Sequence, residues 1–95
     1  MIGPHRPIHP GEILREEFMS PLGLSGYALA AACHVPRTRI ERLARKETQV
    51  TADTALRLGR YFGTGPEFWM NLQTAFDLAS ADHKAVKTIQ PRRAA

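Results

Sequence analysis

At 95 residues the chain has room for one domain with a modest core, and its 43% apolar content is that of an ordinary globular protein. No run of 18 apolar residues is present, which excludes a bilayer-spanning helix, and the opening MIGPHRPIHP lacks the apolar stretch a secretory signal needs. The net charge of +4 is concentrated: from Arg37 to Arg60 seven basic side chains face three acidic ones, an excess equal to that of the whole chain. Such a stripe is the footprint of a polyanion partner or a solvated basic face. The one cysteine, Cys33, has no partner for an internal disulfide, so a reducing, cytoplasmic setting is expected.

Residues 1–9, with Pro4 and Pro7 and no periodicity, read as an extended arm. Helix 1 opens after Pro10 and runs to about Met19, with Glu12 in its first turn and Ile13, Leu14 and Phe18 as its apolar stripe. Ser20-Pro21-Leu22-Gly23 is expected to end it, because proline cannot donate and crowds the preceding turn. Ser25 caps helix 2, an alanine-rich segment to about Cys33. His34-Val35 forms a tight turn, and Pro36 suits the first position of helix 3, where a missing N–H costs nothing. Thr51 caps helix 4, in which Ala55, Leu56, Leu58, Gly59 and Phe62 face inward in some combination, and Gly63 closes it in left-handed geometry. Thr64-Gly65-Pro66-Glu67 reads as a capping box for helix 5, which runs to about Ala81 and is the most hydrophobic helix, with Phe68, Trp69, Leu72, Phe76 and Leu78. Residues 82–95 form a polar, basic tail, disordered or weakly paired through Val86 and Ile89. The expected fold is all-α, a five-helix domain over 10–81 between the arm and the tail.

Helix 2, a three-residue turn and helix 3 have the length and chemistry of a helix-turn-helix. Ala30 is the small residue that lets the helices cross closely, Val35 the apolar plug after the turn, and Ile40 and Leu43 the inward pair of the second helix. The outer face of that helix then fits the major groove of double-stranded DNA. Arg37, Thr38 and Arg42 are placed to reach base edges; arginine can bind guanine O6 and N7 with two bonds, and threonine offers a hydroxyl or a methyl group. Ser25, Tyr27, Arg39, Arg45 and Lys46 are assigned to phosphates. The bland alternative is a helical hairpin with a solvated arginine face.

Four stretches carry a family resemblance: His9-Pro-Gly-Glu-Ile-Leu-Arg-Glu-Glu-Phe18, Val35-Pro-Arg-Thr-Arg-Ile40, Thr51-Ala-Asp-Thr-Ala-Leu-Arg-Leu58, and Tyr61-Phe-Gly-Thr-Gly-Pro-Glu-Phe-Trp-Met-Asn-Leu-Gln73. Over about residues 7–80 the chain resembles HigA-type antitoxins of the lambda-repressor-like (XRE) helix-turn-helix superfamily. The resemblance implies five helices, a homodimer, repression of the protein's own operon at a palindromic operator, and silencing of a HigB-like, mRNA-cleaving ribonuclease toxin. Two departures stand out. His34 replaces the glycine common at the turn after helix 2, although histidine tolerates positive φ better than most residues. Arg45-Lys46-Glu47 replaces an Asn-Gly-Lys-like end of helix 3, which removes the glycine C-cap.

A homodimer would be held by the C-terminal third, through Trp69, Leu72, Phe76 and Leu78, because helix 5 carries more large apolar residues than so small a core can hide. A basic toxin would need an acidic patch away from the DNA face, and Glu12, Glu16 and Glu17 on helix 1 form the most concentrated one. Cys33 falls on an inward edge and reads as a small hydrophobe. His5, His9, His34 and His83 lack carboxylates or cysteines at ligand spacing, and no acid pair is placed for proton transfer. No metal, cofactor or enzymatic activity is therefore expected. A stand-alone XRE repressor and a protein-only interaction module are the rival readings.

Overall fold

The computed structural model describes residues 6–93, so the expectations for His5 and the first part of the arm lie outside the described residues. Six helices and no strand occupy that span. Helix α1 is built from Pro10–Ile13, a π-helical stretch Leu14–Met19 and a last turn Ser20–Leu22; α2 is Gly26–Cys33, α3 Arg37–Ala44, α4 Ala52–Phe62, α5 Pro66–Ser80 and α6 His83–Lys87.

Helix α1 departs from expectation at its end. It passes through Pro21 because the backbone widens before the proline, the Ser20 N–H donating to the Arg15 carbonyl five residues back. The wider turn accommodates a ring that would crowd an ordinary α-turn. Gly23, at φ 64°, then closes the helix, and the Leu24 N–H donates to the Met19 carbonyl at 2.8 Å. Ser25 and Thr51 cap α2 and α4 as their chemistry suggests, each side-chain oxygen accepting an N–H three residues on. Pro36 stands one position earlier than expected, as the N-cap of α3 with extended ψ. The capping box at Thr64 does not form: Gly65 is the N-cap of α5, and the Thr64 hydroxyl instead accepts the Trp69 indole N–H at 3.0 Å. The tail gains a short helix, α6, capped by the Asp82 carboxylate, with Val86 and Ile89 exposed.

The core gathers Leu14, Leu29, Ile40, Leu43, Leu58 and Trp69, all with essentially no exposed surface. Phe18 and Phe62 pack on the Trp69 ring, with Phe68 edge-on to it. Of the five candidates for the inward face of α4, Ala55, Leu58 and Gly59 take the buried stripe, and Leu56 lies off it and is exposed.

The first turn of α1 is seated on the end of α3. A Cβ at Gly11 would stand 1.8 Å from the Leu43 carbonyl oxygen, so glycine alone permits this approach. His9, read from sequence as part of the arm, is buried at the head of α1: its Nδ1 accepts the Gly11 N–H at 2.9 Å, and its ring meets Phe76 edge-on. Burial, then the Lys46 charge, hold the His9 pKa below its ordinary value, outweighing opposite pulls from the Thr48 backbone and Asp77. The folded chain therefore takes up this proton at lower pH than the unfolded chain. The stability His9 contributes is complete above the ordinary histidine pKa of about 6.5 and is lost as pH falls below it. Thermal unfolding from pH 7.5 to 5.5 should show wild type losing stability across this window. His9→Asn, which keeps a capping oxygen but cannot titrate, should flatten the profile there.

Candidate nucleic-acid interface

Helix α2 ends at His34, which adopts left-handed geometry (φ 59°) as the turn requires. The Val35 N–H donates to the Ala30 carbonyl at 3.0 Å, and half-buried Val35 packs on the core. Ala30 is buried where α2 meets α3, and Ile40, Leu43 and Ala44 form the buried edge of α3. The rest of α3 is left at or near the surface, which makes it a narrow helix laid against the body by one edge.

Arg37, Thr38 and Arg42 lie on that outer surface. The side chains of Arg37 and Arg42 are each 60% exposed, with only long ion pairs to Glu41 (3.4 Å) and Glu47 (3.8 Å). Contacts of this kind in solvent are worth about 0–1 kcal/mol, so both guanidinium groups can be redirected to a ligand. Ser25 and Tyr27 sit exposed at the start of α2; the Ser25 oxygen is engaged as a cap, and Tyr27 is 68% exposed. Arg39 and Arg45, assigned to phosphates from sequence, are both paired. Arg39 donates to Asp53, and Arg45 Nε to Glu47 at 2.9 Å. Those bonds, from Arg39 and then Arg57, hold the Asp53 carboxyl below the usual carboxylate range, and Arg45 does the same for Glu47. Lys46 takes the left-handed position at the end of α3 (φ 66°), where the Glu47 N–H donates to the Arg42 carbonyl at 2.9 Å. Its Nζ lies 3.8 Å from Glu12. The helix thus closes without its glycine.

The residues that hold α3 in place were not visible in the sequence. Arg15 on α1 donates to the Ala44 carbonyl at 2.6 Å, completing the C-terminal end of α3. Arg57 on α4 donates to the Cys33 and His34 carbonyls, at 2.9 and 3.2 Å, completing the end of α2. Gln73 on α5 is buried; its Oε1 accepts the Val50 N–H at 2.7 Å and its Nε2 donates to Asp77 at 2.9 Å, fixing the loop after α3. That loop lays Thr48, Gln49 and Thr51 beside Thr38, Arg39 and Arg42, around a recess of about 410 Å³. A polar run directly after α3 was the only signal for them. Cys33 is buried, and burial pushes its thiol pKa up against the opposing pull of Arg57.

No family model matches the sequence. Among known proteins, the chain is 54% identical over 86 residues to virulence-associated protein I of Dichelobacter nodosus, covering 88% of this chain and 80% of that one. It is 41% identical over 73 residues to antitoxin HigA-1 of Vibrio cholerae, covering 77% and 69%. Antitoxin HigA of Pseudomonas aeruginosa, solved with the higBA promoter, superposes with a TM-score of 0.87 at 44% identity, over 93% of this chain and all of that one. Antitoxin GraA in complex with its operator matches at 0.87 and 45%, over 99% of each chain. The chain belongs to the HigA family of helix-turn-helix antitoxins.

The residues named for a second copy are placed differently from expectation in this HigA-family chain. Trp69 is wholly buried inside the chain and offers no surface to a second copy. Leu72 and Phe76 are half-buried against the core and His9, and of the four residues Leu78 alone is largely exposed. The core hides more of α5 than its composition suggests, because Phe18, Phe62 and His9 pack against it. On α1, Glu12 is half-buried between Arg6 (2.8 Å) and Lys46, Glu16 pairs with Arg15 at 2.8 Å, and Glu17 is exposed.

Gln73→Leu should destabilise the fold by about 1–3 kcal/mol, because the Val50 N–H loses its acceptor while the side-chain volume is nearly kept. Urea unfolding followed by circular dichroism measures this, and an unchanged midpoint would mean that water replaces the amide.

Proposed function

We propose that this chain is an antitoxin that represses its own operon and neutralises a HigB-like, mRNA-cleaving ribonuclease. It binds a palindromic operator as a homodimer, with α3 as the recognition helix. The observation that carries this reading is the outer face of α3, where Arg37, Thr38 and Arg42 stand exposed on a helix buried along one edge only. Close matches over nearly the whole chain to HigA with its promoter and GraA with its operator support the same role. Two recognition helices about 34 Å apart would read half-sites one helical turn from each other. The reading makes the protein a cytoplasmic binding protein with no catalytic activity, and it needs no cofactor.

Gel shifts with the DNA upstream of the chain's own gene test the repressor function. Arg37→Ala and Arg42→Ala should each cost about 1–3 kcal/mol on that DNA and relax base choice. Lys46→Gly, which suits the left-handed backbone while removing the charge, should weaken binding to all sequences and lower the salt slope by about one contact. Equal wild-type affinity for operator and scrambled DNA would overturn the assignment.

For the toxin, the acidic side of α1, with Glu12, Glu16 and Glu17, is the proposed docking surface. Charge complementarity of this kind acts mainly on the association rate. Co-expression with the neighbouring toxin frame should restore growth for wild type, and the triple Glu→Gln variant should capture toxin more slowly. A variant as effective as wild type would remove α1 from the interface. Failure of wild type itself would leave a stand-alone repressor.

A further inference from the structure

Asp53 lies in the first turn of α4, outside the recognition helix, yet two arginines converge on it. Arg39 of α3 donates to Asp53 Oδ2, and Arg57 Nε donates to the same oxygen at 2.9 Å. Arg57 is anchored in turn by the Cys33 and His34 carbonyls, so it cannot follow a moving partner. The carboxylate is thereby a fixed negative charge beside the face that carries Thr38, Arg39 and Arg42, and it lines the same recess as those three side chains.

We propose that Asp53 sets the strength of DNA binding: it competes with phosphates for Arg39, so any duplex that takes this guanidinium must first open the pair. The proposal rests on the DNA-binding reading above. A phosphate that approaches Arg39 must displace a carboxylate that already satisfies the guanidinium, and it meets that carboxylate's charge as well. The penalty is a property of the free protein, so it is the same for every duplex that engages Arg39. On an operator, base contacts from Arg37, Thr38 and Arg42 fix the helix in the groove and bring a phosphate to Arg39 in register. The residue acts through Arg39 and touches no base.

One added phosphate contact steepens the salt dependence by about 0.9. Asp53→Asn, which keeps an oxygen for Arg57, should therefore raise affinity for a scrambled duplex about 3- to 10-fold and steepen its salt slope by about one. Affinity for the upstream operator duplex should rise by at least as much, because relief of the same pair favours every complex that engages Arg39. Fluorescence anisotropy at several salt concentrations, on wild type, Asp53→Asn, Arg39→Ala and the double variant, reads all of these quantities. In the Arg39→Ala background the gain on scrambled DNA should fall below about 2-fold. No gain on either duplex, or an equal gain without Arg39, would overturn the proposal. So would equal weakening on both duplexes with a lowered melting temperature, which would make Asp53 purely structural. Wild type that fails to discriminate between the duplexes would instead overturn the DNA-binding reading itself, an outcome separable from the others.

Discussion

The structure depends on how the end of α3 is held by the beginning of α1. A recognition helix that must present most of its circumference to a ligand can bury only a narrow edge, here Ile40, Leu43 and Ala44. Eight residues are too few to be stable as an isolated helix. The missing support comes from α1. Gly11 lets the two backbones approach at Leu43, Arg15 satisfies the Ala44 carbonyl, and Glu12 lies near Lys46 just past the last turn. One short stretch, His9-Pro10-Gly11-Glu12, therefore caps its own helix and also supports the end of another.

Seating α3 at both ends explains how it tolerates non-glycine residues at the two left-handed positions beside it. His34 before α3 and Lys46 after it each carry a positive φ. Such a conformation costs an ordinary residue about 1–2 kcal/mol. At His34 the neighbouring carbonyls are tied down by Arg57, and at Lys46 the closing bond to Arg42 sits beside the Arg15 contact. Each strained residue is thus bracketed by a side chain from a different helix. At position 46 the non-glycine residue also places a cation next to the exposed face of α3.

Local chemistry was legible at several positions where it acts within a few residues. Ser25 and Thr51 as caps, Gly63 as a left-handed stop, and the Ala30–Val35–Ile40–Leu43 frame of the helix-turn-helix need only sequence spacing. Part of what escaped was decided by partners far along the chain. His9 looked like part of a proline-rich arm because its neighbour Phe76 lies 67 residues away. Gln73 looked like one more polar position on a helix because the N–H it satisfies belongs to Val50. Thr64 offered a capping hydroxyl, but the Trp69 indole needed that oxygen once the ring was buried. Pro21 was read as a stop because the widened turn before it has no signature in composition. For the interface, the face of α3 was readable, but which of its arginines are already paired was not.

That last distinction changes what the basic stripe means. The sequence counts seven cations between Arg37 and Arg60, and a simple reading would assign most of them to phosphates. In the fold Arg57 is committed to the turn of the helix-turn-helix, and Arg39 and Arg45 are held by carboxylates. The three acids of the same segment, Glu41, Glu47 and Asp53, lie against Arg37, Arg42 and Arg39 of α3. Charge in this region is therefore arranged as pairs that a polyanion must open one at a time. Opening a pair costs the same whichever duplex takes the arginine, so the pairs lower affinity for all DNA alike. A stripe with the same net charge but no such pairs would hold any DNA more tightly.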